Sequence, residues 1–245
     1  MREIEFYSGP TPNGRKVAIM LEECELPYRA TFIDILAGDQ LTPEFLARNP
    51  NNKHPVIVDP DGPHGTPLTI WESGAILMYL AEKCGRLIPH DPVRRVQMLQ
   101  WLFFQVSTQG PMAGQFAHFG FYAKEEHRYP YAIERYRNEL YRQLAIMDAH
   151  LSRHEYFADE YSIADIALLP YSASMFVAGE ANTPHVTRWK RQLLERSAVA
   201  RGMVFMEDRV QKATMAGGMQ GFTDDHRSVL FGEKQYARRS SERSA

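Results

Sequence analysis

The sequence has few cysteines, no excess of positive charge and no long apolar run. Its 245 residues include only Cys24 and Cys84, too few for a disulfide framework and without the CxxC spacing of a zinc site. The formal net charge is −2, so the chain lacks the basic excess that gives nucleic-acid-binding proteins their affinity. We therefore expect no metal and no nucleic-acid partner.

Membrane and secretory features are also missing. The longest apolar stretch, residues 75–81, is far too short to span a bilayer. Glu3 and Glu5 stand where a secretory leader would carry basic residues. We expect a protein of the reducing cytoplasm that makes no membrane contact. Signatures of dinucleotide, triphosphate and serine-hydrolase chemistry are absent as well.

The first part of the chain alternates strands and helices. Ile4 and Phe6 have the alternation of a half-buried strand, which the turn-rich residues 9–14 end. A second strand is predicted over residues 28–34. The helix between them has apolar residues at i, i+3, i+4 and i+7, namely Val17, Met20, Leu21 and Cys24.

Two short strands, over residues 55–58 and 67–70, and a helix from Ser73 to Cys84 follow. This β-α-β, β-β-α order is that of a thioredoxin-like domain. From Pro92 onward only helical periods occur, so the second domain is predicted to be all-helical.

We therefore predict three regions. They are a thioredoxin-like domain over residues 1–87, a helical domain over 92–210, and a tail over 211–245. The apolar residues 229–231 of the tail are expected to pack on the body, and its last residues, 237–245, to be frayed.

The segment Thr11-Pro12-Asn13-Gly14 begins the first helix with a hydroxyl and an amide. Unpaired N–H groups and the helix dipole favour an anion there, so phosphate, carboxylate or thiolate would fit. An ordinary helix cap explains the same residues equally well. From the pattern alone, both interpretations stay open.

Two further segments carry polar groups at the edges of predicted elements. Pro55 forces His54 to be extended, and the backbone of His54 could then pair with an extended ligand. Glu72 and Ser73 precede the next helix, where Ser73 is either a plain cap or, with Glu72, a site for an amino-acid head group. Ser162 and Asp165 form a capping-box pattern that we interpret as structural.

Four motifs in this order resemble the glutathione transferase superfamily over nearly the whole chain. They are residues 11–14, Asn49-Pro50-Asn51-Asn52-Lys53-His54-Pro55, residues 72–77 and residues 161–165. The first two, together with the segment from Trp101 to Met112, most resemble the bacterial Nu-class enzymes, which act as glutathione-dependent disulfide-bond oxidoreductases. The resemblance implies a glutathione transferase fold, bound glutathione as co-substrate, and a homodimer.

The resemblance also implies roles for single residues. Thr11 and Asn13 match the positions that hydrogen-bond the glutathione sulfur. The positions that hold the rest of glutathione match Gln40, Lys53, His54 before a cis Pro55, Glu72, Ser73 and, on the helical domain, Arg135. Tyr7, which ends the first strand, is expected to be structural.

The implied reaction is attack of a bound glutathione thiolate on a small disulfide, which a second glutathione then resolves. Without a CxxC motif, the reacting sulfurs must arrive on ligands, and Cys24 and Cys84 are expected to be core residues rather than redox groups. Two alternatives remain. One is conjugation of glutathione to an electrophile, and the other is a non-catalytic binding or regulatory module.

Overall fold

A computed structural model describes residues 2–173, 182–209 and 222–236. The chain divides into two compact units, which are described separately. Unit 1 comprises Met1–Pro10, Pro27–Glu72 and Met206–Ala245, and unit 2 comprises Thr11–Leu26 and Ser73–Phe205.

The elements of the described residues follow one another along the chain. They are β1 (Ile4–Ser8), α1 (Pro12–Glu23), β2 (Tyr28–Phe32), α2 (Pro43–Arg48), β3 (Val56–Asp59), β4 (Leu68–Trp71), α3 (Ser73–Cys84), α4 (Pro92–Phe104), α5 (Gly110–Ala117), α6 (Pro130–Leu151), α7 (Ile163–Ser172), α8 (Pro184–Leu194), α9 (Ser197–Met203) and α10 (Asp224–Phe231). Two π-helical turns follow α4 and α5, at Gln105–Gln109 and His118–Tyr122. The predicted fold class is confirmed, because within the described ranges a β-α-β, β-β-α thioredoxin-like order is followed by helices alone.

Unit 1 holds a four-stranded mixed sheet in the order β2-β1-β3-β4. Strand β1 runs parallel to β2 and antiparallel to β3, and β3 runs antiparallel to β4 with Val56 opposite Trp71. The alternation predicted for β1 is observed, since Ile4 and Phe6 are buried while Glu5 and Tyr7 are half-buried. The first residue of β3, Val56, therefore lies beside Trp71, the last residue of β4.

The last helix, α10, belongs to unit 1. Its Val229 is buried beside Gly38, and Asn52 Nδ2 donates a 3.0 Å hydrogen bond to the main-chain oxygen of Gln235 just beyond the helix. These contacts hold the tail on unit 1. The predicted fraying of residues 237–245 falls outside the described residues.

Unit 2 is helical, and α1 lies at its centre. The apolar stripe predicted on α1 is buried completely at Val17, Met20 and Leu21. Helix α9 approaches the backbone of α1 so closely that a Cβ at Gly202 would lie 2.5 Å from Ile19 N. Only glycine therefore allows this packing of α9 on α1.

The structure corrects the expectation for the cysteines. Cys24, the C-cap of α1, and Cys84, the last residue of α3, are joined in a disulfide with a Cα–Cα separation of 6.1 Å. The 60 residues between them hid this proximity from the sequence pattern. Cys24 is buried, as expected of a core residue, but the two side chains are paired.

Candidate functional site

Thr11 caps the N-terminus of α1. Its Oγ1 accepts a hydrogen bond from Gly14 N at 3.3 Å, while the backbone of Thr11 is extended. A hydroxyl that accepts in this way still has its own hydrogen to donate. Thr11 is thus both the cap and a donor at a helix terminus that favours anions.

Asn13 is the second residue of α1, and both the oxygen and the nitrogen of its side-chain amide are engaged. Its Oδ1 accepts from Lys16 Nζ at 2.8 Å. The amide also hydrogen-bonds Tyr171 on α7; burial raises the pKa of Tyr171 to about 12 despite this bond, which lowers it. Because lysine can only donate, the oxygen of Asn13 must face Lys16 and its NH₂ group is left to donate.

Lys16 is the centre of this cluster. Its side chain is buried, with 1% of the residue exposed, and its ammonium lies 5.0 Å above the ring of Tyr171. Besides Asn13, Nζ donates to Gln105 Oε1 at 2.5 Å and to Ser73 Oγ at 3.3 Å. These three oxygens are neutral acceptors, and together they orient the ammonium.

Helices α1 and α3 therefore begin at the same buried cation. Asn13 and Ser73 lie in their first turns, and Lys16 binds both. A positive charge beside two helix N-termini raises the local potential and favours a bound anion such as a thiolate. We call Thr11, Asn13, Lys16, Ser73, Gln105 and Tyr171 the lysine cluster. All of them belong to unit 2.

Unit 1 presents a second group of predicted site residues. The His54–Pro55 peptide bond is cis, as the resemblance implies. The His54 ring lies against β1, with Nδ1 3.4 Å from Ser8 Oγ. Burial, followed by the charge of Lys53, lowers the pKa of His54 to about 4, so the ring is neutral at physiological pH.

Glu72 lies immediately after β4, on the strand end that faces the segment before Val56. Its φ is 71°, a left-handed conformation that is uncommon for glutamate, and its Oε1 accepts from Asn51 Nδ2 at 3.3 Å. Such conformations persist where the surroundings hold them and are concentrated at functional sites. In unit 1, the structure thus brings Glu72 next to the Asn51–Pro55 segment.

The remaining predicted residues have different environments. Lys53 is exposed, and its main-chain oxygen accepts from Asn49 Nδ2. Gln40 is buried and donates Nε2 to the Ile35 oxygen at 3.1 Å, which leaves one amide hydrogen for another acceptor. Arg135 lies on the surface of α6, with its side chain 55% exposed and 3.6 Å from Glu139.

Tyr7 makes only unit 1 contacts among those described. Its hydroxyl donates to Glu5 at 2.6 Å, and the guanidinium of Arg48 lies 4.5 Å above its ring. Burial raises the pKa of Tyr7, and the hydrogen bond to Glu5 raises it further. The hydroxyl is therefore protonated at neutral pH and engaged within the sheet.

Comparison with known proteins identifies the family. Residues 11–83 match the glutathione S-transferase N-terminal domain and residues 111–197 match the glutathione S-transferase C-terminal domain. The chain belongs to the glutathione transferase family.

Relatives of this glutathione transferase are closely similar. Disulfide-bond oxidoreductase YfcG of Escherichia coli K12 is 43% identical over 207 residues, covering 82% of this chain and 94% of the relative. A Pseudomonas putida glutathione transferase solved with one glutathione disulfide per subunit is 46% identical, with a TM-score of 0.77 and coverage of 82% and 90%. A Burkholderia graminis glutathione transferase with two glutathione molecules per subunit is 44% identical, with the same TM-score and coverage of 82% and 88%.

The described residues contain neither a membrane-spanning helix nor a metal-binding cluster. Over residues 2–173, 182–209 and 222–236, no helix has both the length and the apolar character required to cross a membrane. The same part of the chain brings together no group of three His, Cys, Asp or Glu side chains that could hold a metal ion.

Three members of the lysine cluster were missed by sequence reasoning: Lys16, Gln105 and Tyr171. Lys16 follows Asn13 by three residues, a spacing that places the two side chains on one helix face, so this contact was predictable. Gln105 lies 89 residues further along the chain, in a π-helical turn. Such turns are concentrated at functional sites, but no sequence pattern predicted this one.

Proposed function

We propose that this glutathione transferase is a glutathione-dependent disulfide-bond oxidoreductase. The thiolate of a bound glutathione attacks one sulfur of a small disulfide, whose S–S bond breaks and releases the other sulfur as a thiolate. A second glutathione thiolate then attacks the glutathione sulfur of the mixed disulfide. Glutathione disulfide and the second substrate thiol are released.

The lysine cluster is the observation that carries this proposal. A free thiol of this type has a pKa of about 8.5, so only a few per cent is thiolate at neutral pH. The Lys16 ammonium and the N-terminus of α1 favour the charged form, and Thr11 and Asn13 have hydrogens to donate to it. The cluster thus supplies what a thiolate nucleophile needs.

The protein's own cysteines lie elsewhere in unit 2. Cys24 is at the opposite end of α1 from Thr11, which at 1.5 Å per residue places the two roughly 20 Å apart. Neither cysteine belongs to a CxxC motif. The sulfurs that react at the lysine cluster therefore arrive on ligands, in line with the glutathione disulfide bound by the Pseudomonas putida relative.

In this proposal each predicted site residue binds one part of glutathione. Glu72 and Ser73 hold the γ-glutamyl head group, and the main chain of His54 before Pro55 pairs with the cysteinyl unit. The glycyl carboxylate is bound by Lys53 and the remaining amide hydrogen of Gln40, and Arg135 reaches the ligand from α6. Assembly as a homodimer and a cytoplasmic location remain predictions.

The test is the rate of glutathione-dependent reduction of a small dialkyl disulfide, measured beside conjugation of a haloaromatic electrophile. Asn13→Ala should lower disulfide turnover about 10–100-fold, the effect of losing a hydrogen bond to a charged group. Asn138→Ala, which alters an exposed asparagine of α6, is the matched control and should leave the rate unchanged.

The other outcomes would replace this proposal. Conjugation that is fast while disulfide turnover is absent would make the protein a conjugating transferase. Glutathione binding with no turnover in either assay would make it a binding module.

A further inference from the structure

We propose that Cys24 and Cys84 form a second redox site, a reversible disulfide that exchanges with glutathione and glutathione disulfide. The site lies at the far ends of α1 and α3 from the lysine cluster. Its oxidation state determines whether these two helices are joined covalently. The exchange goes beyond the proposed function, because it converts the protein itself rather than a bound substrate.

The backbone geometry suits a disulfide that can open and close. The Cα–Cα separation of 6.1 Å lies within the range seen for protein disulfides. Cys24 caps α1 and Cys84 ends α3. Both positions are helix ends, where a side chain changes partners more easily than within a helix.

The two sulfurs differ in accessibility, and this gives the exchange a direction. Cys24 is only 8% exposed, with Sγ 4.0 Å from the main-chain oxygen of Leu80, whereas Cys84 is half-buried. Gly85 follows Cys84 with φ of 64°, and a Cβ there would meet no atom within 4 Å. The backbone beside Cys84 is therefore open to an incoming thiolate.

Charged side chains of both signs lie near the two cysteines, and glutathione carries two carboxylates and one ammonium. A cavity of about 360 Å³ is lined by Glu25, which directly follows Cys24, and by Arg86, two residues after Cys84. Its other charged lining residues form two ion pairs. Arg196 binds Glu23 at 2.8 Å, and Arg201 binds Glu22 at 2.5 Å.

The exchange transfers two electrons in two thiol–disulfide steps. A glutathione thiolate attacks Sγ of Cys84, the Cys24–Cys84 bond breaks, and Cys24 leaves as a thiolate that takes up a proton. A second glutathione thiolate attacks the glutathione sulfur of the mixed disulfide. This step releases glutathione disulfide and the Cys84 thiolate. The protein gains two electrons, two glutathiones lose them, and the reverse sequence oxidises the protein.

The disulfide and the lysine cluster restrain the same two helices at opposite ends. Lys16 joins Asn13 of α1 to Ser73 of α3 by hydrogen bonds, and Cys24 and Cys84 join the other ends covalently. Opening the disulfide leaves the first connection in place. We therefore expect reduction to lower stability strongly while the cluster remains assembled.

The experiment equilibrates the protein in buffers of varied glutathione to glutathione disulfide ratio. Thiols are then alkylated and counted by mass, and thermal unfolding is followed after the small molecules are removed. We expect two thiols per chain in excess glutathione, none in excess glutathione disulfide, and a single midpoint between. The oxidised form should unfold about 10 °C higher.

Single variants test the direction of attack. In glutathione disulfide, Cys24→Ser should retain one glutathione in a mixed disulfide on Cys84, at a level at least tenfold above that on Cys24 in Cys84→Ser. The double variant should lose the redox-dependent shift in unfolding temperature. Asn13→Ala should keep the midpoint unchanged, so failure of the proposed catalytic reaction would leave this result intact.

Two results would overturn the proposal. One is that both thiols stay available to alkylation in excess glutathione disulfide, which would mean that the bond does not form under these conditions. The other is that excess glutathione leaves the bond closed, which would make it a permanent structural disulfide.

Discussion

Lys16 and Asp165 are both buried charged side chains of unit 2, but their partners differ in kind. Asp165 accepts hydrogen bonds from Ser162 N at 3.0 Å, Trp189 Nε1 at 2.9 Å and Phe157 N at 3.3 Å. Burial raises the pKa of Asp165 to about 6, although these bonds lower it. The carboxylate is therefore ionised at neutral pH and is surrounded by groups that fold the chain.

The partners of Lys16, by contrast, include Asn13 and Ser73, which begin helices and which the family resemblance associates with a ligand. A buried charge contributes little net stability when paired, but removing its partners is costly. Burial alone therefore does not separate structural from functional charges. What distinguishes them is whether the surrounding groups still have hydrogens to offer to a ligand.

The largest effect is expected for Asp165→Ala. Four buried donors, the Ser162 hydroxyl included, would lose their acceptor, so the free energy of unfolding should fall by about 3–5 kcal/mol and the melting temperature by about 10 °C. Thermal unfolding followed by circular dichroism measures this. Glu160→Ala, which removes an exposed carboxylate 3.6 Å from Arg94, is the control and should change little. A loss of less than 1 kcal/mol for Asp165→Ala would contradict its structural role.

Lys16→Met should affect turnover more than stability, the reverse of Asp165→Ala. Methionine fills a similar volume without charge, so we expect a change in unfolding free energy of about 1–2 kcal/mol. Disulfide turnover should fall about 10–100-fold, because the thiolate loses its nearby cation. The measurements are thermal unfolding and the disulfide assay at several pH values. Normal turnover in a stable variant would show that Lys16, like Asp165, serves the fold alone.

His54 extends the comparison to unit 1, because it is a half-buried titratable group whose pKa is lowered by desolvation. Its folded pKa of about 4 lies below the unfolded value of about 6.5, so stability is present above pH 6.5 and lost as pH falls toward 4. His54→Val removes this titration. Between pH 7 and pH 4, the natural protein should lose about 3 kcal/mol more than the variant. Parallel pH profiles would show that burial does not hold the His54 ring neutral.

Thr11→Val separates capping from ligand binding at the start of α1. Loss of the hydroxyl should cost about 1 kcal/mol of stability, the usual value of an N-cap, and should also weaken turnover. Thr11→Ser keeps the hydroxyl and should preserve both. If turnover falls in Thr11→Ser while stability holds, the methyl group rather than the donor would be responsible.

The smallest effect on stability is expected for Arg135→Ala. An exposed ion pair with Glu139 contributes about 0–0.5 kcal/mol. If Arg135 reaches glutathione, the dissociation constant measured by calorimetry should nevertheless rise about 3–10-fold. Arg137→Ala, two residues along the same exposed helix, should leave affinity unchanged. Equal affinities for both variants would remove Arg135 from the site.

Local patterns predicted the elements well, because they depend on neighbouring residues. The alternation at β1 and the helix from Ser73 to Cys84 were read directly from spacing and from the Gly85 stop. The capping box of Ser162 and Asp165 is confirmed for the same reason. The cis peptide bond at His54–Pro55 agrees with the family resemblance. The intrinsic preference of X–Pro bonds is for trans, so local sequence alone did not predict it.

Contacts between distant residues were not predictable in this way. The bond from Lys16 to Gln105 spans 89 residues, and the disulfide from Cys24 to Cys84 spans 60. Each depends on how helices pack, and periodicity reports only which face of a helix is buried. A single sequence therefore predicted three members of the lysine cluster, Thr11, Asn13 and Ser73, but not the cation that joins Asn13 to Ser73.

The bond from Asn52 to Gln235 has a consequence for the timing of synthesis. Its two residues are 183 positions apart, and ribosomes add about 5–20 residues per second. Some 10–40 s therefore pass between the synthesis of Asn52 and that of its partner. During this interval the loop between α2 and β3 is already synthesised, but its bond from Asn52 cannot form because Gln235 has not yet been made.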